Sequence, residues 1–205
     1  MGKKRGREEV YNEGIVFTDD DLGGVQVPHN YALVITLRIG EYDIERIPVD
    51  SGSCTEVLCY DAFKKLGLTQ ADLVQSMTPL VGFSAGAVWP SGKVTLPVRA
   101  GTVVLRTNVL VVDVPSSYNM IIGRTWLHKM RVVSSTYHQM VKFPRSNGVE
   151  KISENQKVAH QCLISIIKKA PKTKLVQDVE IPDQPTIEDV GGDPAEKVVE
   201  GLKKI

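Results

Sequence analysis

The feature that most constrains this chain is a succession of short β-rich runs, separated by turn residues, between Val25 and Phe143. The runs are rich in Val, Ile, Leu and Thr, and several alternate polar with apolar residues, which is typical of half-buried strands. They are Tyr31–Ile39, Tyr42–Val49, Val94–Val98, Thr102–Leu105 and Asn108–Val114. Glycines stand in the breaks at Gly40, Gly92 and Gly101. The pattern predicts one compact, mostly β domain.

Two short helices are predicted within this β region. Residues Leu58–Leu66 carry apolar side chains at helical spacing, and Gly67 follows where a C-terminal cap belongs. The second helix, Arg124–Met130, follows Gly123. A later apolar run, Val158–Ile167, fits either a strand or a docked helix.

The flanking regions differ in composition from the β region. Residues 1–24 carry a charge run and the acidic stretch Thr18–Gly24, so we expect a flexible, solvated leader. The folded β domain between these flanking regions is predicted at residues 25–150. Residues 151–205 are predicted to form an extension and a flexible linker, because breakers recur at Pro171, Pro182, Pro185, Gly191–Gly192 and Pro194.

Composition excludes several functional classes. Lys and Arg number 25 against 24 Asp and Glu, a net charge of +1, which argues against direct nucleic-acid binding. No apolar run approaches the ~18 residues of a membrane span. The four histidines show no metal-ligand spacing, so neither a metal nor another cofactor is expected. Three cysteines, an odd number, fit a reducing compartment, and we expect a cytoplasmic protein.

Asp50, Ser51 and Gly52 are the first candidates for chemistry. They directly follow the apolar strand Ile44–Val49. A carboxylate, a small hydroxyl residue and a glycine suit a tight loop at a strand end, where glycine allows close backbone approach. Taken alone, Asp-Ser-Gly is also ordinary turn material.

The order of the other motifs adds context to this loop. A glycine-rich segment, Leu80–Val98, lies between the Asp50 loop and the apolar strand Asn119–Gly123, which leads into the helix at Arg124. This order resembles the retropepsin family of aspartic proteases. The wider match resembles the protease region of plant gypsy-class LTR-retrotransposon polyproteins. It is carried by PHN-x-ALVITL at Pro28–Leu37, VDSGS at Val49–Ser53, FKKLGL at Phe63–Leu68, LVGFS at Leu80–Ser84, IIGRTWLHKM at Ile121–Met130 and STYHQMVKFP at Ser135–Pro144.

The resemblance implies a fold and a mechanism. The fold would be the closed β-barrel of the acid proteases. Because each chain offers one catalytic aspartate, the enzyme would be a homodimer in which two copies of Asp50 share a proton and activate water. Ser51 would brace the two loops and Gly52 would accept substrate backbone. The flap over the substrate would comprise Val81, Gly82, Phe83, Ser84, Ala85 and Gly86, and the structural strand beside the site would comprise Ile121, Ile122, Gly123 and Arg124.

The substrate implied is a polypeptide, namely the retrotransposon's own polyprotein, processed in the cytoplasm or in retrotransposon particles. Pro48 departs from the family pattern, because proline lacks an N–H for a strand ladder. The alternative is therefore a catalytically decayed fold that serves as a dimerisation or peptide-binding module. Arg124 also lacks the acidic partner common in viral members, for which Glu56 is a candidate.

Two further alternatives fit less well. A ubiquitin-shuttle protease of similar fold would be expected to carry a ubiquitin-like or ubiquitin-binding segment, and the sequence shows none. Gly82–Gly86 matches the G-x-S-x-G pattern of serine hydrolases. That nucleophile must be followed by a helix, which Pro90 and Gly92 disfavour.

Overall fold

The computed structural model describes residues 14–82, 86–146 and 148–169, together with two short strands at 198–199 and 202–203. Its centre is a closed barrel of six strands. In barrel order these are β1 (Val34–Ile39), β2 (Tyr42–Asp50), β8 (Met120–Gly123), β3 (Glu56–Cys59), β7 (Val103–Val112) and β6 (Gly92–Ala100). The prediction of a mostly β, closed-barrel fold is confirmed.

The barrel interior is filled by the alternate, inward-facing side chains of these strands, as a small closed barrel requires. Fully buried side chains include those of Ile35, Leu37, Ile47, Val98, Val109 and Ile122. Helix α2 (Arg124–Met130) adds Trp126, which has no exposed surface. Burial of this many large apolar side chains is the main stabilising contribution to the fold.

One of the two helices predicted within the β region has the predicted bounds, and the other begins later than predicted. Helix α2 has the predicted bounds. The helix predicted at Leu58–Leu66 begins only at Tyr60, as α1 (Tyr60–Lys65). Leu58 and Cys59 belong to β3 because they pair with Val111 and Val112 of β7, and this tertiary pairing overrides the local helical periodicity.

The hairpin of β6 and β7 is longer than the separate runs predicted for it. The two strands pair without interruption from Gly92 opposite Val111 to Ala100 opposite Val103. The predicted turn at Gly101 is present, and Gly101 has a φ of 54°, which favours glycine.

Outside the barrel lie a small hairpin, a second sheet and a third helix. The hairpin joins β4 (Leu80–Val81) to β5 (Ala87–Val88). The sheet contains β9 (Val133–Ser135), β10 (Met140–Arg145) and β11 (Gly148–Ser153), in the order β11-β10-β9. Helix α3 (Gln156–Lys169) resolves the alternative left open for Val158–Ile167, and it packs against β1 and β2.

The acidic stretch Thr18–Gly24 is not wholly solvated, contrary to the prediction. A short 3-10 helix (Asp19–Leu22) places the Asp21 side chain against Lys142 of β10, with 2.6 Å between Oδ2 and Nζ. Lys151 of β11 lies 3.3 Å from Oδ1. A buried carboxylate needs such partners, and these cations lie more than 120 residues away in sequence.

The predicted domain limits at residues 25 and 150 stay a prediction. Asp21 and Glu154, which lie outside these limits, both contact residues within them. Among the described residues, one compact unit extends from Gly14 to Lys169. Beyond it, the described strands β12 (Val198–Val199) and β13 (Leu202–Lys203) pair antiparallel with each other. The remainder of the predicted linker and residues 1–13 of the predicted leader lie outside the described residues. Among the residues described, no helix has the length and apolar character needed to span a bilayer.

Candidate active site

The Asp50 carboxylate lies at the last position of β2 and is exposed. Its Oδ1 accepts hydrogen bonds from the backbone N–H groups of Gly52, at 2.9 Å, and Ser53, at 3.2 Å. The chain turns directly after the strand, since Ser53 N–H also donates to the Asp50 carbonyl. The loop thus holds one carboxylate oxygen through backbone donors, which fixes the orientation of the acid without burying it.

Strand β8 lies beside the end of β2. The two strands run parallel, with Val49 opposite Ile122 and Asp50 opposite Gly123. On its other side β8 pairs antiparallel with β3, with Val57 opposite Ile121. The structure therefore brings the sequence-predicted residues Ile121, Ile122 and Gly123 next to Asp50, although about 70 residues separate them along the chain.

Gly123 occupies a position that has no room for a side chain. A Cβ there would lie 2.8 Å from the carbonyl carbon of Thr55 and 3.0 Å from the carbonyl oxygen of Ser53. The segment after Asp50 therefore passes directly over the backbone of β8. Glycine is required here for close approach of two backbones rather than for its φ.

The first turn of α2 is hydrogen-bonded to this same segment. Arg124 N–H donates to Ser53 O at 2.8 Å, and Thr125 Oγ1 donates to Cys54 O at 2.9 Å. Loop and helix therefore form one unit. The Arg124 N–H, which has no acceptor within the helix, and the Thr125 hydroxyl both find acceptors in the segment after Asp50.

Glu56 completes that unit and was not assigned this role from the sequence. Its side chain is 2% exposed, and Oε1 accepts the backbone N–H of Trp126 at 2.7 Å. Burial raises the pKa of Glu56, an effect partly offset by the bond from Trp126. The sequence suggested Glu56 as a partner for Arg124, but its carboxylate serves the helix backbone instead. The available signal was that a carboxylate, Glu56, directly precedes the apolar residues Val57 and Leu58.

Pro48 does not break the strand that carries Asp50. It lies opposite Val34, and the next residue, Val49, still donates its N–H to Leu33 O at 2.9 Å. Because bonded and non-bonded pairs alternate in an antiparallel ladder, the nitrogen of Pro48 faces away from β1, towards β8. Proline therefore costs no bond to β1. The ladder between β2 and β8 begins at the following residue.

The hairpin of β4 and β5 is found where the flap was predicted. Leu80 pairs with Val88 and Val81 with Ala87, and the Val81 side chain is 65% exposed. Phe83, Ser84 and Ala85 lie outside the described residues, while Gly82 and Gly86 flank them. The residues after Gly86 form β5 rather than a helix, which argues against the serine-hydrolase interpretation.

The chain is similar in structure to several solved proteins. No family model and no curated protein sequence matches the chain. Among solved structures, the retroviral protease-like domain of Ddi1 from Leishmania major is similar, with a TM-score of 0.50 and 16% identity over 62% of this chain and 96% of that one. EIAV protease complexed with the inhibitor HBY-793 aligns with a TM-score of 0.45 and 19% identity over 54% and 99%. A retropepsin-like aspartic protease from Rickettsia conorii aligns with a TM-score of 0.39 and 16% sequence identity, over 58% of this chain and 80% of that one.

The barrel topology and the likeness to the Ddi1 domain define the fold as retropepsin-like. At 16% identity this likeness shows the fold alone.

Proposed function

We propose that this chain is an aspartic endopeptidase in which two copies of Asp50, one from each chain of a homodimer, activate water for peptide hydrolysis. The observation that carries the proposal is the placement of Asp50. Its carboxylate is exposed at the end of a barrel strand, beside Gly123, and is oriented by the N–H groups of Gly52 and Ser53.

The need for a second chain follows from the chemistry. Hydrolysis of a peptide requires a base that takes a proton from water and an acid that gives one to the carbonyl oxygen. Two adjacent carboxylates that share one proton supply both roles. In these 205 residues Asp50 is the sole aspartate in an Asp-Ser/Thr-Gly sequence, and we propose that the second carboxylate is the Asp50 of an identical chain.

The steps balance without a cofactor. One Asp50 accepts a proton as water oxygen bonds to the peptide carbonyl carbon, and the other protonates the carbonyl oxygen. On collapse of the tetrahedral intermediate the C–N bond breaks. The Asp50 that took the proton from water gives it to the leaving nitrogen, and the other Asp50 takes a proton from the hydroxyl that becomes the product carboxyl carbonyl, which restores the shared-proton pair. Ser51 and Gly52 are proposed to brace the loop and to accept substrate backbone. Arg124 is proposed as a support, through its backbone bond to Ser53.

We propose an extended polypeptide as the substrate, held between the Asp50 loops and the β4–β5 hairpin with Val81, Gly82, Phe83, Ser84, Ala85 and Gly86. The finer proposal is that this polypeptide is the chain's own retrotransposon polyprotein, in the cytoplasm or in retrotransposon particles. It is supported by the sequence motifs described above.

The test is cleavage of a longer precursor by the wild type and by Asp50→Asn. The substitution keeps the shape of the side chain and removes its proton chemistry, so we expect no cleavage and an unchanged circular dichroism spectrum. Asp43→Asn is the matched control, because Asp43 is exposed at the far end of the same strand. Undiminished cleavage by Asp50→Asn would contradict the proposal. Absence of cleavage by a folded, dimeric wild type would favour the decayed-module alternative.

A further inference from the structure

The backbone N–H of Val34, at the start of β1, has no partner in the barrel ladder. Leu33 O accepts the N–H of Val49, so the alternation of an antiparallel pair turns the N–H of Val34 away from β2. On that outer edge, β1 pairs with β6 only further along, at Arg38 and Ile39. Val34 is 1% exposed, and a buried N–H without an acceptor is costly.

Glu154 supplies the acceptor from 120 residues away. Its Oε1 lies 2.6 Å from the nitrogen of Val34. Glu154 stands between β11 and α3, and its own N–H donates to Gln139 O at 2.8 Å, which fixes its backbone. The carboxylate therefore takes the place of a neighbouring strand at this edge of the barrel.

Helix α3 packs on the same residue. Val158, Ala159 and Cys162 form a small buried cluster with the Val34 side chain, and Tyr31 and Tyr118 lie against it. Backbone and side chain of Val34 are thus both held by the segment at 154–162. A residue held at both groups has little freedom to move, and its neighbour Leu33 is restrained with it.

Leu33 links this anchor to the candidate active site. Its carbonyl oxygen accepts the N–H of Val49, at 2.9 Å, and Val49 immediately precedes Asp50. The path from Glu154 to Asp50 therefore consists of two hydrogen bonds and two peptide units. All of its members are backbone groups except the Glu154 carboxylate.

We propose that Glu154 is a positioning residue for Asp50, acting through Val34, Leu33 and Val49, so that the segment after β11 is part of the catalytic unit. The inference rests on the proposed function for its catalytic consequence. Its structural part, the restraint of Val49 by Glu154, stands independently and can be measured without a substrate.

The test uses the full chain with Glu154→Ala, which removes the acceptor, and Glu154→Gln, which keeps an oxygen for the N–H of Val34. Exposed Glu41, in the turn between β1 and β2, provides the control Glu41→Ala. Two quantities are measured at a temperature where every variant is folded. One is kcat and KM for peptide cleavage, and the other is amide hydrogen exchange at Val34 and Val49.

We expect Glu154→Ala to lower kcat on the order of tenfold or more with little change in KM, because small displacements of a catalytic group are costly. Exchange at Val34 and Val49 should accelerate in the same variant. In Glu154→Gln, kcat and the exchange rates at Val34 and Val49 should be close to those of the wild type. Wild-type kcat together with wild-type exchange at Val49 in Glu154→Ala would overturn the proposal.

The proposal stays testable if Glu154→Ala does not fold or if the wild type does not cleave peptide. Should Glu154→Ala fail to fold, Glu154→Asp replaces it, since its shorter side chain retracts the acceptor by one methylene group. Its exchange at Val49 is then compared with that of Glu154→Gln, and equal rates overturn the proposal. Should the wild type not cleave peptide, the proposed function has failed, and exchange at Val49 alone decides whether Glu154 restrains the strand.

Discussion

Asp50 and Gly123 lie side by side as the final residues of two parallel strands, β2 and β8. The pairing places the carboxylate at the end of the barrel, and the missing side chain of Gly123 lets the chain after Asp50 fold back across β8. The bond from Arg124 N–H to Ser53 O then fastens that return. The candidate site is therefore built by the close approach of two backbone segments.

Gly123→Ala should destabilise the protein strongly. The added methyl group would meet the backbone of Thr55 and Ser53, neither of which is a flexible side-chain end. We expect the free energy of unfolding to fall by at least about 2 kcal/mol, as for overpacked sites. Urea denaturation measures it, with Gly14→Ala as control because no atom of the described residues lies within 4 Å of a Cβ there. Equal stability of the two variants would contradict the close approach.

Glu56→Ala should weaken the junction between β3 and α2. It leaves the backbone N–H of Trp126 buried without its acceptor, which costs about 1–3 kcal/mol. Glu56→Gln keeps an acceptor and avoids the cost of a buried charge, so its stability should equal or exceed that of the wild type at neutral pH. The comparison is made by urea denaturation. An alanine variant as stable as the glutamine variant would show that the bond to Trp126 contributes nothing.

Asp21 should make the stability of the folded state fall with pH in the acid range. Its hydrogen bond from Lys142, followed by that from Thr18 N–H, lowers the pKa of Asp21 from 3.8 to about 2. The contribution is therefore present above pH 3.8 and is lost as the pH falls towards about 2. Thermal unfolding across this range should show a steeper loss of Tm in the wild type than in Asp21→Asn. Asp20→Asn, exposed in the same 3-10 helix, should behave as the wild type does.

Glu154 should change the pH dependence of stability in the direction opposite to Asp21. Burial raises the pKa of Glu154 from 4.5 to about 7, with the bond from Val34 N–H opposing the rise. The folded state then binds more protons than the unfolded state between these values, so stability decreases as the pH rises from 4.5 to about 7. Glu154→Gln should remove this slope from a plot of Tm against pH. An unchanged slope would place the titrating group elsewhere.

Pro48→Leu should raise both stability and peptidase activity. The new N–H would face β8, where the ladder now begins only at Val49, and one added bond contributes about 1 kcal/mol. Val49→Pro is the informative contrast, because it deletes the N–H that Leu33 accepts and should lower both quantities. Unchanged stability and cleavage in Pro48→Leu would show that the proline imposes no cost on the Asp50 strand.

The sequence predicted those parts of the fold that local patterns determine. Alternation and turn glycines indicated the barrel strands, and the apolar face of Arg124–Met130 indicated α2 with its observed bounds. The Asp50 loop and the strand at 120–123 were identified by motif order, because each is a contiguous segment. Their pairing followed from the resemblance and not from periodicity.

The contacts that the sequence could not predict join distant residues. Asp21 and Glu154 both lie in segments that the sequence assigned to the leader and to the extension, where charged residues are ordinarily solvated. Each nevertheless binds a group about 120 residues away. No local spacing encodes such a partner. The bond between Glu56 and Trp126 likewise joins residues 70 positions apart, and no local spacing encodes it.

The most direct test of the paired-carboxylate mechanism mixes wild type with Asp50→Asn at constant total concentration, after subunit exchange. If each active site needs Asp50 from both chains, the cleavage rate should fall as the square of the wild-type fraction. Asp43→Asn mixed in the same way should leave the rate unchanged. A rate that falls only in proportion to the wild-type fraction would contradict the claim that two copies of Asp50 form one active site.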